Sequence, residues 1–237
     1  MSYLKVDIPK TKYGVHSVPV VVQRARVMTP TEYRWVERYL PSEYHKLLFK
    51  TALVTGMRHV ELEKFLEADL SWYQPDRRCI VVPEEAVLKV KVGVRRRVIP
   101  LSDFGMSVIT KLQEVREKNA ARKIELFMPH RSSWGKTLFL AATKSGIPQP
   151  ETILPKCTRK TWESWLLCTY PQYSMQIVIA MGHTSNVAIR HYIGLGWSLL
   201  EREDMRPYTF GFVQDLVPME FVPPPVMPKR MDHKVVV

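Results

Sequence analysis

Residues 79–100 read CIVVPEEAVLKVKVGVRRRVIP, and they decide the fold class because the chain on either side has a different rhythm. Cys79-Ile80-Val81-Val82 and Ala86-Val87-Leu88 are short β-rich runs, and Lys89-Val90-Lys91-Val92 alternates. Gly93 supplies a turn, and Arg97-Val98-Ile99 resumes the strand. This predicts a small antiparallel sheet with a hairpin near Gly93. Upstream, Thr29-Pro30-Thr31-Glu32 is a helix start: a hydroxyl cap, a proline in the first turn and an acid soon after. That helix runs to about Leu40. Pro41 opens a second, whose Leu47, Leu48, Ala52 and Leu53 form a buried stripe that stops at Gly56, and a third begins at Arg58. Downstream, Ser102 caps a helix to about Asn119, and further helices are expected at Ser132–Lys144, Thr158–Leu167, Ser174–Met181 and Ser185–Tyr192. The expected class is α+β, mainly α-helical, with one small antiparallel β-sheet.

The ends read differently. Residues 1–26 hold Pro9, Gly14 and Pro19 without helical period, and carry Lys5, Lys10, Lys12, Arg24 and Arg26 against Asp7 alone. They read as an extended basic arm. The stretch after residue 205 reads as a tail, with five prolines packed into a dozen residues from Val217. The intervening 27–205 form one domain, since 237 residues hardly supply two full cores.

Composition narrows the function classes. No apolar run reaches the roughly 18 residues that a bilayer span needs, and the first residues carry no basic-then-apolar leader. The three cysteines, Cys79, Cys157 and Cys168, are an odd and scattered set without Cys-x-x-Cys spacing. Reduced thiols in a cytoplasm follow, with no disulfide framework and no zinc site. No Asp/Glu cluster suggests a two-metal nuclease, so neither metal nor cofactor is expected. The 35 Lys plus Arg against 23 Asp plus Glu leave a net charge of +12, which favours a polyanionic partner through counterion release. The charge is patchy: Arg77–Arg97 holds seven basic residues against Glu84 and Glu85.

Four separated signals carry chemistry. In Thr55-Gly56-Met57-Arg58-His59-Val60-Glu61-Leu62 an arginine follows a glycine turn at a helix start. Lys89 and Lys91 are two apart on one strand face. Lys156-Cys157-Thr158-Arg159 sets two cations three apart at a helix start, where backbone N–H groups already favour an anion. Gly182-His183 is followed nine residues later by Tyr192. Alone, the first also reads as a surface or capping arginine, the second as a solvated strand face, and the last as a core histidine with a buried tyrosine.

In this order and spacing the four resemble the boxes of the tyrosine recombinase and phage-type integrase family, over residues 29–195. Arg58 with Glu61 resembles the first box. Lys156 and Arg159 fall at the His-x-x-Arg positions of the second, with lysine in the histidine place. His183 matches the third, and Tyr192 stands at the nucleophile's spacing. The phrase Arg159-Lys160-Thr161-Trp162-Glu163-Ser164-Trp165-Leu166 is similar to integrases of archaeal viruses and plasmids. The resemblance implies the recombinase catalytic-domain fold and site-specific cutting and rejoining of double-stranded DNA. It also implies a dimer on each core site, a tetramer in the synapse, no cofactor, no membrane, and a cytoplasmic place at the host nucleoid.

By the same resemblance Arg58 and Arg159 clamp the non-bridging phosphate oxygens, which a rigid guanidinium fork suits better than a lysine. His183 donates a further hydrogen bond, and Tyr192 forms a 3′-phosphotyrosyl link. A hairpin lysine protonates the departing 5′-oxygen: Lys91 by its distance from Val98-Ile99-Pro100-Leu101, or else Lys89. Lys156 manages the tyrosine proton or holds the phosphate, and Glu61 buttresses Arg58. His191 reads as a packing residue. A type IB topoisomerase shares this chemistry, although Arg190-His191-Tyr192-Ile193 departs from its Ser-Lys-x-x-Tyr signature. A catalytically silent DNA-binding relative is the third alternative.

Overall fold

The computed structural model describes residues 19–86, 97–122, 127–182 and 196–213. A hairpin of β1 (Val20–Val22) and β2 (Ala25–Val27) leads into α1 (Pro30–Arg38), α2 (Glu43–Thr55) and α3 (His59–Glu67). The sheet β3 (Tyr73–Gln74), β4 (Cys79–Val82) and β5 (Arg97–Pro100) follows, then α4 (Asp103–Ala121), α5 (Arg131–Ser145), α6 (Cys157–Thr169), α7 (Ser174–Ala180) and α8 (Leu199–Thr209). The fold of the described residues is therefore mainly helical with small antiparallel sheets. None of their helices is long and apolar enough to cross a membrane.

The helix boundaries follow from capping chemistry. The Thr29 hydroxyl accepts the Glu32 amide at 3.2 Å and the Glu32 carboxylate accepts the Thr29 amide at 3.0 Å, a reciprocal capping box. Ser42, not Pro41, caps α2, and Gly56 ends it in the left-handed region at φ +55°. Ser102 caps α4 by accepting the Gly105 amide at 3.0 Å. In the sheet, Ile80 lies opposite Ile99 and Val81 opposite Val98, with β4 central.

Helix α6 is the axis of the molecule. All residues from Cys157 to Leu167 are buried, and α2, β2, α7 and α8 pack around it. Trp162, Trp165 and Leu166 are among the apolar side chains of this helix, and all three are fully covered. Arg159, Lys160 and Thr161 hydrogen-bond to neighbouring segments, which offsets part of the cost of burying them. Thr158 Oγ1, Trp162 Nε1 and Ser164 Oγ, by contrast, are buried without a hydrogen-bond partner among the described residues. Thr161 Oγ1 accepts the Met28 amide at 2.9 Å, and Trp165 Nε1 donates to the Met28 carbonyl at 3.0 Å.

Four expectations differ from this structure. The last residues of the expected extended arm form the β1–β2 hairpin, and Arg26 is fully buried against Glu32 instead of exposed to a polyanion. Glu84–Ala86 forms a 3₁₀ turn, so the second β-rich run does not begin at Ala86. Arg97 belongs in the sequence to the basic stretch 77–97 that favours a polyanionic partner, yet only 2% of it is exposed. Helix α8 crosses residue 205, and Phe212 beyond it is buried, so packed structure continues past that boundary. The hairpin near Gly93 and the helix expected at 185–192 lie outside the described residues.

Candidate functional site

The turn that ends α2 and starts α3 sets Arg58 at the N-cap of α3, extended at φ −70° and ψ 155°. Glu61, one turn on, folds back: its carboxylate accepts the Arg58 amide at 2.8 Å and the Arg58 guanidinium at 2.6 Å. Arg97 arrives from β5 on the other side and grips the same carboxylate with both terminal nitrogens, at 2.7 and 3.3 Å. Glu61 is fully buried. Burial alone would raise its carboxyl, but the charge and hydrogen bonds of Arg97, with those of Arg58, hold it below the usual range.

Arg159 enters from the first turns of α6. Its guanidinium donates to the Gly56 carbonyl at 2.6 Å and to the Met181 carbonyl. Arg97 also donates to Met181 O, at 3.5 Å. Burial, then the like charges of Arg97 and Arg58, draw the Arg159 guanidinium down to about 9, with Glu61 and Glu163 acting the other way. It stays charged at neutral pH. The Arg58 side chain is one-third exposed, which leaves it the accessible member of the cluster.

Two guanidiniums thus share one buried carboxylate, and a third, Arg159, lies beside them on backbone carbonyls. Arg97 and Glu61 neutralise each other as a bidentate pair. The remaining positive charge, on the partly exposed Arg58 and on Arg159, is offset in part by the buried Glu163. At Arg159, where water is largely excluded, the field of a cation is strong. Such a place can attract an anion, and rigid guanidinium forks match a phosphoryl group. A cleft of about 270 Å³ lies elsewhere, between α2 and α4, lined by Tyr44, Leu47, Lys50 and Lys111. Among the described residues no three His, Cys, Asp or Glu side chains gather as metal ligands would.

Of the expected site residues, Arg58 and Arg159 come together, and Glu61 buttresses Arg58 as expected. Lys156 does not join them. Its ammonium donates to the Gln23 carbonyl at 2.7 Å, in the turn of the β1–β2 hairpin. Beside it Lys160 donates to the Val22 carbonyl at 2.7 Å and to Gln23 Oε1 at 3.3 Å. Burial, then the neighbouring Lys156, lowers the Lys160 ammonium to about 8. Lys89, Lys91, His183, His191 and Tyr192 lie outside the described residues. Gly182, which precedes His183, is described: it stands at φ +62° against the Arg97 side chain. Sequence reasoning missed Arg97 and the Met181 carbonyl as parts of the site. No local signal separates a buried arginine from its neighbours in an Arg-Arg-Arg run. The chain matches no protein-family model, and no curated protein shows recognisable similarity to it.

Proposed function

We propose that this chain is a site-specific DNA recombinase of the tyrosine recombinase type, with that family's catalytic-domain fold, acting on a mobile element. One observation carries the reading: Arg58 and Arg97 pair with the buried Glu61 carboxylate, and Arg159, remote in sequence, lies beside them on the Gly56 and Met181 carbonyls, so positive charge gathers there in excess. Phosphodiester cleavage gathers negative charge on two non-bridging oxygens, and preorganised guanidiniums are the side chains that stabilise it best. In this reading the Tyr192 hydroxyl attacks phosphorus, forming the tyrosyl–phosphate bond as the bond to the 5′-oxygen breaks. Lys91 gives that oxygen its proton, and His183 donates to the same phosphate. The phosphotyrosyl link keeps the bond energy, so religation by a 5′-hydroxyl needs no nucleotide cofactor. Double-stranded DNA is the partner, bound by a dimer at each core site and a tetramer at synapsis. The net charge of +12 agrees with that partner.

The test is incubation with supercoiled plasmid without added metal, followed by denaturation and a gel that separates protein-linked DNA. Wild type is expected to give an adduct or relaxed plasmid, Tyr192→Phe neither, and Arg159→Lys about 100-fold less. Plasmid binding without adduct or relaxation in wild type would instead support a catalytically silent DNA-binding protein.

A further inference from the structure

The Arg97–Glu61 pair touches every described part of the candidate site. Through Glu61 it reaches the amide and guanidinium of Arg58. Through the Met181 carbonyl, which accepts from both arginines, it reaches Arg159. Through Gly182 it reaches the residue before His183: a Cβ built there would lie 2.9 Å from Arg97 Nη1 and 3.2 Å from Arg97 Cδ. With 2% of its surface exposed, Arg97 is not placed to meet DNA itself. A surface arginine next to Arg96 would have no reason to be covered in this way.

We infer that Arg97 is a positioning residue: with Glu61 it holds three separate segments, the start of α3, the guanidinium of Arg159 and the turn at Gly182, in register to grip one phosphoryl group. The inference rests on the proposed phosphate chemistry. Lysine at position 97 would keep the charge but lose the fork that spans both carboxylate oxygens and Met181 O. Any side chain at Gly182 would push the guanidinium aside, and φ +62° disfavours one in any case.

Opposite charge changes separate positioning from simple electrostatics. Arg97→Met removes a positive charge and Glu61→Gln removes a negative one. If the cluster works only as a cloud of charge, Glu61→Gln tightens anion binding and Arg97→Met weakens it. If the pair sets geometry, both weaken it. The probe is inorganic phosphate, titrated into the full chain at low ionic strength and followed through the arginine side-chain NMR resonances. Both variants are expected to bind phosphate about tenfold more weakly, with Arg97→Lys between them and wild type. Adduct formation on plasmid should fall about 100-fold in both, the scale of a small misplacement, while plasmid affinity changes less than about threefold.

Tighter phosphate binding by Glu61→Gln overturns the inference, and so does unchanged binding in a folded Arg97→Met. Should either variant fail to fold, Gly182→Ala tests the same point with the charges intact, and wild-type phosphate affinity there overturns it. If wild type and variants rank as expected for phosphate but wild type never links to DNA, the positioning role stands and the recombinase reading falls. If wild type binds no phosphate, both fall.

Discussion

Replacing Glu61 by glutamine should cost the protein much of its stability, by an amount that depends on pH in a defined way. The carboxylate is fully buried and accepts from the Arg58 amide, the Arg58 guanidinium and both terminal nitrogens of Arg97. Glutamine fits the space but turns an NH₂ towards guanidinium donors and leaves Arg97 a buried, uncompensated cation. Removing one partner of a buried ion pair costs about 3–5 kcal/mol, a large share of the roughly 5–15 kcal/mol that keeps a domain folded. The melting temperature at pH 7 should fall on the order of 10 °C. The sign of the pH dependence follows from the depressed Glu61 carboxyl. Its contribution is fully present above the unfolded value near 4.5 and is lost as pH falls through the lower folded value. Urea unfolding of wild type and variant between pH 7 and pH 3, read by circular dichroism, should show the gap closing only below about pH 4.5. A gap under about 1 kcal/mol at pH 7, or one that does not begin to narrow as pH falls below about 4.5, would refute the reasoning.

Other consequences can be measured on the same protein. Arg26→Met removes the fully buried partner of Glu32, so stability should fall by about 3–5 kcal/mol and amide exchange in 20–27 should accelerate. Gly56→Ala should destabilise by about 1–3 kcal/mol in denaturant melts, because φ is +55° and the new Cβ would meet Met181 Sδ at 2.6 Å. The same change should weaken phosphate binding, since Gly56 O holds Arg159. The Lys160 ammonium is lowered to about 8 from an unfolded value of 10.5, so the unfolded chain binds the extra proton between those values. Wild-type stability should therefore rise relative to Lys160→Met as pH climbs from about 8 to 10.5, and a flat difference would remove that assignment.

The helices were legible where the capping chemistry is local. Thr29 with Glu32 and Ser102 with the first turn of α4 announce themselves within four residues. Ser198 and Glu201 form the same capping box at the start of α8. That helix was hidden because Pro207 lies inside it, and the proline-rich stretch beyond read as one tail. The β1–β2 hairpin was illegible for a different reason. Its two turn residues, Gln23 and Arg24, both have positive φ (48° and 64°), a conformation normally signalled by Gly or Asn. The support comes from over 130 residues away, where Lys156 and Lys160 hold the carbonyls at the turn.

The site divided along the same line. Arg58 and Glu61 are a helix-start pair, so their contact could be read from spacing. Lys156 and Arg159 are only three apart, yet Lys156 is the N-cap residue and reaches back to Gln23, whereas Arg159 lies inside the helix and reaches Gly56 and Met181. Spacing places both on α6 but does not say which neighbour each side chain meets. Arg97 depends entirely on tertiary burial.

The most direct test of the recombinase reading is the identity of the residue that becomes joined to DNA. Protein-linked DNA from the plasmid reaction would be digested with nuclease and protease, and the nucleotide-bearing peptide sequenced by mass spectrometry. The account predicts a single modified peptide carrying a 3′-nucleotide on Tyr192. Attachment at another residue, or plasmid relaxation with no tyrosine-linked nucleotide, would contradict it.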